Sequence, residues 1–422
     1  MKIASVLVFT VLCSVTVGAQ SPDIVVDRLL GNSKFKAAQE FLDKDHDRIV
    51  EENIRLTEIP APPFKEDKRG AAVLELMKQL GLQNVERDAE GNVMGLRKGT
   101  GQGPLVAIAA HLDTVFPEGT DVKVKREGTR LSAPGIGDDT RGLAVLLALV
   151  RAMDAAKFDT RSDILFVADV GEEGEGDLRG MKYLFTKGPY KDRIKFFISL
   201  DGTGTNTITN GAVGSRRYRV TFKGPGGHSY SAFGLVNPAF AMAKAIDKFS
   251  KIQVPDTPKT TFSVGVVGGG TSVNSIPFES WMEVDMRSES PEELAKVVES
   301  FIGLVHEAAD EENKARSTAQ GKIEVEMKMI GDRPSGSTSI GSTTVQTATA
   351  IIRGLGMSPI YSTGSQDANI PISLKIPAIT LGAGGSGSRT HALEEYINVE
   401  KTASLKGIYV ALGTLLSLAG AQ

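Results

Sequence analysis

The chain has 422 residues, 41% of them apolar and 23% charged, with a formal net charge of −3. That length supports about two to three domains with full hydrophobic cores, and the balanced charge, with no basic stripe, argues against nucleic acid as a partner. The only cysteine is Cys13, so thiol catalysis, thiolate metal sites and disulfides are excluded from everything after the opening segment.

Residues 1–19 open with Lys2, run apolar from Ile3 to Val17 and end in Gly18 and Ala19. This is the pattern of a cleaved export signal, shorter than the about 20 apolar residues of a membrane span. The expectation is an exported protein, periplasmic or secreted, with no membrane contact after cleavage. A helix over Ser33–Leu56 stops at Ile59-Pro60-Ala61-Pro62-Pro63, and an amphipathic helix from Lys68 ends at Gly81. His46 and His306 lie on charged helices and read as solvated surface residues. Three continuous apolar runs, Pro104–Ala110, Asp163–Val170 and Ile194–Leu200, read as buried strands, with a helix over Leu143–Met153 between the first two. Strands alternating with helices predict an α/β domain with a mainly parallel sheet.

The pattern then changes. Arg217–Phe222, Thr261–Val267, Trp281–Met286 and Ile323–Met329 alternate polar with apolar residues, and helices are expected at Pro238–Lys251 and Pro291–Ala309. Strand–helix–strand–strand–helix–strand is the split βαβ, ferredoxin-like arrangement. Residues 214–330 therefore read as an α+β lid inserted into a discontinuous main domain, 20–213 and 331–422. Helices at Thr343–Leu355 and Ala403–Leu418, with a strand at Ala378–Leu381, complete that domain.

Each buried strand runs directly into acidic or histidine residues: His111-Leu112-Asp113, Gly171-Glu172-Glu173 and Asp201-Gly202. Ligands of open α/β sheets bind beyond the carboxyl ends of the strands, so these groups converge on one rim. His111 and Asp113 point the same way on extended backbone, which lets a carboxylate fix the tautomer of a metal-binding imidazole. Adjacent Glu172 and Glu173 point apart, so one can hold a metal while the other faces water. Gly135-Ile136-Gly137-Asp138-Asp139 adds two carboxylates at a helix start, where aspartate also serves as an ordinary cap. Singly, each feature has a structural explanation. Together, three acidic clusters at three strand ends repel one another unless cations lie between them. Asp138, Glu173 and Asp201 carry −3 against +4 for two divalent ions, and nitrogen and oxygen donors without thiolate suit zinc, with cobalt or manganese as alternatives. Gly227-His228-Ser229-Tyr230-Ser231 approaches a serine-hydrolase elbow but has Ser231 where glycine is required.

The segments Ile59–Pro63, His111–Thr114, Gly137–Asp139, Gly171–Glu173, Leu200–Gly202, Gly227–Ser229, Ser365–Asn369 and His391–Tyr396 together resemble the co-catalytic zinc metallopeptidases. That family includes peptidase T, glutamate carboxypeptidase, aminoacylase and dipeptidases, and the chain is nearest its tripeptide-aminopeptidase-like branch. The resemblance implies one zinc on His111 and Asp201, a second on Glu173 and His391, and Asp138 bridging them. It implies Glu172 as general base for a zinc-bridged hydroxide, Asp113 as the group orienting His111, and a cis peptide between Asp138 and Asp139. His228 matches the histidine that supplies an oxyanion donor, often from the partner subunit of a homodimer formed through the inserted domain. Asn274 and Arg287 match positions that bind the substrate's polar end. Glu395 orients the substrate or the site. Arg389, a departure from the family pattern, holds a substrate carboxylate or is an ordinary surface residue; Arg141, where relatives often have lysine, is another departure. Aspartate at position 201 is the aminopeptidase and dipeptidase choice, so the expected activity is hydrolysis of the N-terminal bond of short peptides. The alternative is an N-acyl amino acid amidohydrolase or carboxypeptidase with the same two-zinc site.

Overall fold

The structure is a computed structural model that describes residues 21–421; the export segment expected over residues 1–19 lies outside the described residues. The centre of the main sheet is parallel: β1 (Leu105–His111), β2 (Ile164–Asp169) and β3 (Ile194–Leu200) lie in the order β2-β1-β3, followed by Ala378–Leu381. Antiparallel pairings flank this centre: Gln83–Arg87 and Val93–Arg97 beyond β2, and β4 (Thr207–Ala212) beyond Ala378–Leu381. Every residue of β1 and β2 is buried, because helices cover both faces of the sheet, and this is why their sequences read as unbroken apolar runs.

On one face lie α1 (Ser33–Thr57), α2 (Thr140–Ala155) and the closing helix Lys401–Leu418, packed in one cluster with Ile108, Phe166 and Ile198. On the other, Met181, Leu184 and Phe185 of a short helix pack with Ala107, Leu165 and Phe197. The buried stripe of α1 runs Phe35, Ala38, Leu42, His46, Ile49, Asn53, Leu56. His46 is therefore buried, correcting the surface reading: its helical spacing places it on the apolar stripe, and burial, followed by the Arg141 charge, lowers its pKa. His306 is exposed. A helix over Pro22–Gly31, not anticipated from the sequence, precedes α1.

The inserted unit is a four-stranded antiparallel sheet of β5 (Gly214–Lys223), β6 (Thr260–Gly269), β7 (Glu279–Ser288) and β8 (Glu324–Arg333), ordered β6-β7-β5-β8. Helices α3 (Pro238–Phe249) and α4 (Pro291–Ala315) pack on one face, where Phe222, Phe249, Met286 and Phe301 form a separate core. The last helix is longer than the sequence suggested, ending at Ala315 rather than Ala309.

Candidate metal centre

Three sheet strands deliver donors to one rim. β1 ends on His111 itself. Gly171, in the left-handed region at φ 69°, turns the chain after β2 so that Glu172 and Glu173 face the rim. A side chain at that glycine would collide with Arg179. Asp201 follows β3 directly. A fourth segment carries Asp138, and a fifth carries His391, also left-handed at φ 65°.

The atoms converge closely. His111 Nε2 lies 2.9 Å from Asp138 Oδ1, while His391 Nε2 lies 3.3 Å from Asp138 Oδ2 and 2.7 Å from Glu173 Oε1. Two donor sets share Asp138: His111, Asp138 and Asp201, and Asp138, Glu173 and His391, each with its ligand atoms within 4.8 Å of one another. A further grouping places Glu172 with His111 and Glu173.

The surroundings are built around these donors. His111 Nδ1 donates to the Asp113 carbonyl at 3.1 Å, with the Asp113 carboxylate at 3.6 Å. That carboxylate also accepts from Glu172 N (3.1 Å) and Glu173 N (2.9 Å), so it holds the Glu172–Glu173 loop as well as the imidazole. The Asp138–Asp139 peptide is cis. Asp139, not Asp138, caps α2, accepting from Gly142 N, and it also accepts from His111 N. Arg141 is fully buried and donates to Ala383 O and Ser404 Oγ, tying the first turn of α2 to the far end of the chain. Gln366 Nε2 donates to Asp201 Oδ2 at 2.7 Å.

Of the two roles expected for Glu395, the geometry fits orienting the site: it is buried and accepts from the backbone N–H of Gly135, Gly137 and Asp138, so it positions the loop that carries the shared aspartate. Arg389 is not among the residues lining the cleft; it is exposed and pairs with Glu394 at 2.9 Å, the surface alternative. His228 and Asn274 come together on the paired segments around Gly227–His228 and Ser275–Ile276, but both are exposed and outside the cleft of their own chain. Arg287 does line the cleft.

Arg333 gave no signal in the sequence: the alternation read there stops at Met329, where a register shift interrupts the strand, and the observed strand runs on to Arg333. Arg333 is buried, donates to Glu172 Oε1 at 3.2 Å and also bonds the Glu172 carbonyl. Arg217 bonds Gly174 O at 2.9 Å, and the Asp332 amide bonds Asp177. The inserted sheet therefore grips the loop containing Glu172 and Glu173 at three points. Behind the rim, Asp169 and Asp367 are buried against each other with no other side-chain partner among the described residues.

The donor set fits divalent cations. Burial, followed by the Asp138 charge, pushes the Asp201 carboxyl up to about 7. Burial likewise raises Glu172, with Arg333 opposing and Glu173 adding. Asp138 and Glu173 hold the His391 imidazole up to about 10. The potential at the rim thus favours positive charge, and cations between the carboxylates let all of them ionise together. Imidazole and carboxylate donors without thiolate suit zinc, cobalt or manganese.

A parallel sheet with this donor cluster at the carboxyl ends of its strands defines a metal-dependent hydrolase. The model of Peptidase family M20/M25/M40 matches residues 107–416, and the chain belongs to that family. It is 26% identical over 355 residues to succinyl-diaminopimelate desuccinylase of Bordetella avium, covering 79% of this chain and 89% of that one. Aminopeptidase PepT of Bacillus cereus superposes with a TM-score of 0.71 at 22% identity, covering 89% of this chain and 99% of that one. The YXEP protein of Bacillus subtilis, a dinuclear metal binding peptidase of the M20 family, superposes with a TM-score of 0.66 at 18% identity, covering 89% and 99% of the two chains.

Proposed function

We propose that the protein is a two-zinc exopeptidase that removes the N-terminal residue of short peptides. His111 and Asp201 would hold one ion, Glu173 and His391 the other, and Asp138 both. The observation that carries the reading is the pair of donor sets sharing Asp138 in the same cleft as Glu172. When bound, the ions supply Lewis acidity, polarising a carbonyl and acidifying water. Glu172 takes the proton of the attacking water and passes it to the leaving amine. Arg333 fixes the Glu172 carboxylate in the cleft by a charge-assisted bond. Arg287 orients the substrate's carboxylate end.

His228 would donate to the oxyanion from a partner subunit. Homodimer formation through the inserted unit accounts for Tyr230 and Phe233 beside it, which are 88% and 85% exposed, since aromatic residues anchor interfaces. Light scattering showing a monomer at high concentration would count against this part. Residues 1–19 are proposed to export the chain.

Asp201 favours substrates with a free α-amino group, and the PepT likeness agrees with that choice. The desuccinylase relative favours a second reading, hydrolysis of N-acyl amino acids at the same centre. Chromatographic assay of free and N-acetylated di- and tripeptides, with and without chelator, separates them. Chelator-sensitive release of the first residue from free peptides is expected. Cleavage of only the acetylated set would transfer the site to the second reading.

A further inference from the structure

Buried arginines in this chain face carboxylates, with one exception. Four arginines are buried among the described residues: Arg69, Arg141, Arg151 and Arg333. Arg151 pairs with Asp45 and Glu52, each at 2.8 Å, and Arg333 pairs with Glu172. Arg69 lies in the field of the Asp113 and Asp139 carboxylates. Arg141 has no such neighbour. Its bonds go to Ala383 O at 3.1 Å and to the Ser404 hydroxyl, both uncharged. Its Nη1 is buried without a partner among the described residues. The acids close to it in sequence or at the start of the closing helix bond elsewhere. Asp139 accepts from His111 N and Gly142 N, and Glu400 accepts from Thr402 N and Ala403 N.

The surroundings sharpen the imbalance. Arg141 stands in the first turn of α2, where the helix dipole is positive and disfavours a cation. Its charge is felt at His46 on α1, whose pKa is lowered by burial and then by Arg141. His46 Nε2 is also buried without a partner. A buried lysine can shed its proton, whereas arginine keeps it. A water molecule would satisfy the free N–H but not the charge, and a buried charge left unpaired is strongly destabilising.

We infer that a small monovalent anion, chloride, binds at Arg141 Nη1 as a structural counterion, between the first turn of α2, the His46 turn of α1 and the start of the closing helix. With its proton on Nε2, His46 supplies a second donor. Full burial of Arg141 favours a monatomic ion over a carboxylate or phosphate. Such an ion serves the fold whatever the substrate.

The test uses the metal-loaded protein at fixed metal concentration. Urea unfolding is followed while sodium gluconate is replaced by sodium chloride at constant ionic strength. Crystals grown in sodium bromide are measured for anomalous scattering. We expect the unfolding constant to fall by about tenfold for each tenfold rise in chloride above its Kd, and the slope to vanish in Arg141→Met. A bromide peak is expected within hydrogen-bond reach of Arg141 Nη1. If Arg141→Met does not fold, the wild-type slope and the bromide map decide. A wild type indifferent to chloride, a slope that survives in Arg141→Met, or a water in place of bromide at Nη1 overturns the inference.

Discussion

At the scale of single residues, the proposed function separates groups that would hold metal from groups that would move protons. It puts Glu172 in the second kind, so Glu172→Gln should lower kcat by about 10²–10⁴-fold, the range of general acid–base catalysis, with metal content by elemental analysis unchanged. Loss of metal together with activity would move Glu172 into the ligand set. Glu395 acts one step removed. It satisfies three backbone N–H groups of the loop carrying Asp138, and its carboxyl is pushed up to about 7, by burial against those bonds. Glu395→Ala should weaken metal binding by about 10–100-fold, as losses of ligand-orienting groups do, measured by competition with a chromophoric chelator. An unchanged affinity would mean the loop is held elsewhere.

The element scale concerns how the inserted strands meet the loop that carries Glu172 and Glu173. Arg333 ends β8, and its pair with Glu172 is buried on both sides. Arg333→Met should speed amide hydrogen exchange across residues 171–178 and lower kcat by about 10–100-fold, the worth of a hydrogen bond to a charged group. Arg333→Lys, with one nitrogen in place of a fork, should recover only part. Exchange unchanged in Arg333→Met would show that Arg217 and the Asp332 amide suffice. This scale also marks where sequence reasoning stops. His111, Glu172, Glu173 and Asp201 were legible because each directly follows an apolar run, and strand ends are where sites form. The two sheets were legible from continuous and alternating patterns. Arg217 carries no such mark, because an arginine on an alternating strand looks alike whether it points to solvent or into a cleft, and Arg333 lies past Met329, where a register shift breaks the alternation. For Glu395 the sequence left substrate and site as alternatives, since four residues from a ligand says nothing about which way its side chain turns. His46 was misread because a charged helix was taken as solvated on all sides.

For the whole molecule, the buried Asp169–Asp367 pair predicts a pH dependence of stability. Burial pushes Asp169 up to about 7, with the His111 and Asp113 charges pulling in opposite directions, and burial followed by the Asp169 charge raises Asp367. In the unfolded chain both titrate near about 3.9. Between about pH 4 and 7 the folded state therefore binds more protons, so the pair's contribution is complete at the acid end and is lost as pH rises. Denaturant unfolding of Asp367→Asn should show a shallower fall in stability across that interval than the wild type. Parallel curves would mean the pair does not share a proton. Metal adds a second dependence: cations that bind only the folded chain stabilise it by about 2.7 kcal/mol per site at a hundredfold excess over Kd, so chelator should lower the melting temperature.

The inserted unit leaves and rejoins the main sheet at one place. Ala212 pairs with Gly336 on one side of the junction and Ser215 with Arg333 on the other, so the two connections run side by side at about one strand spacing, roughly 4.8 Å. The catalytic half is thus topologically whole without the insert, and the insert is a cassette. A chain spliced from Val213 to Pro334 through two glycines should fold, keep the His111–Asp138–Asp201 donors and bind metal, while losing peptide turnover with Arg217, Arg287 and Arg333. The same junction would accept a foreign lid, provided that lid holds the Glu172–Glu173 loop as Arg333, Arg217 and the Asp332 amide now do.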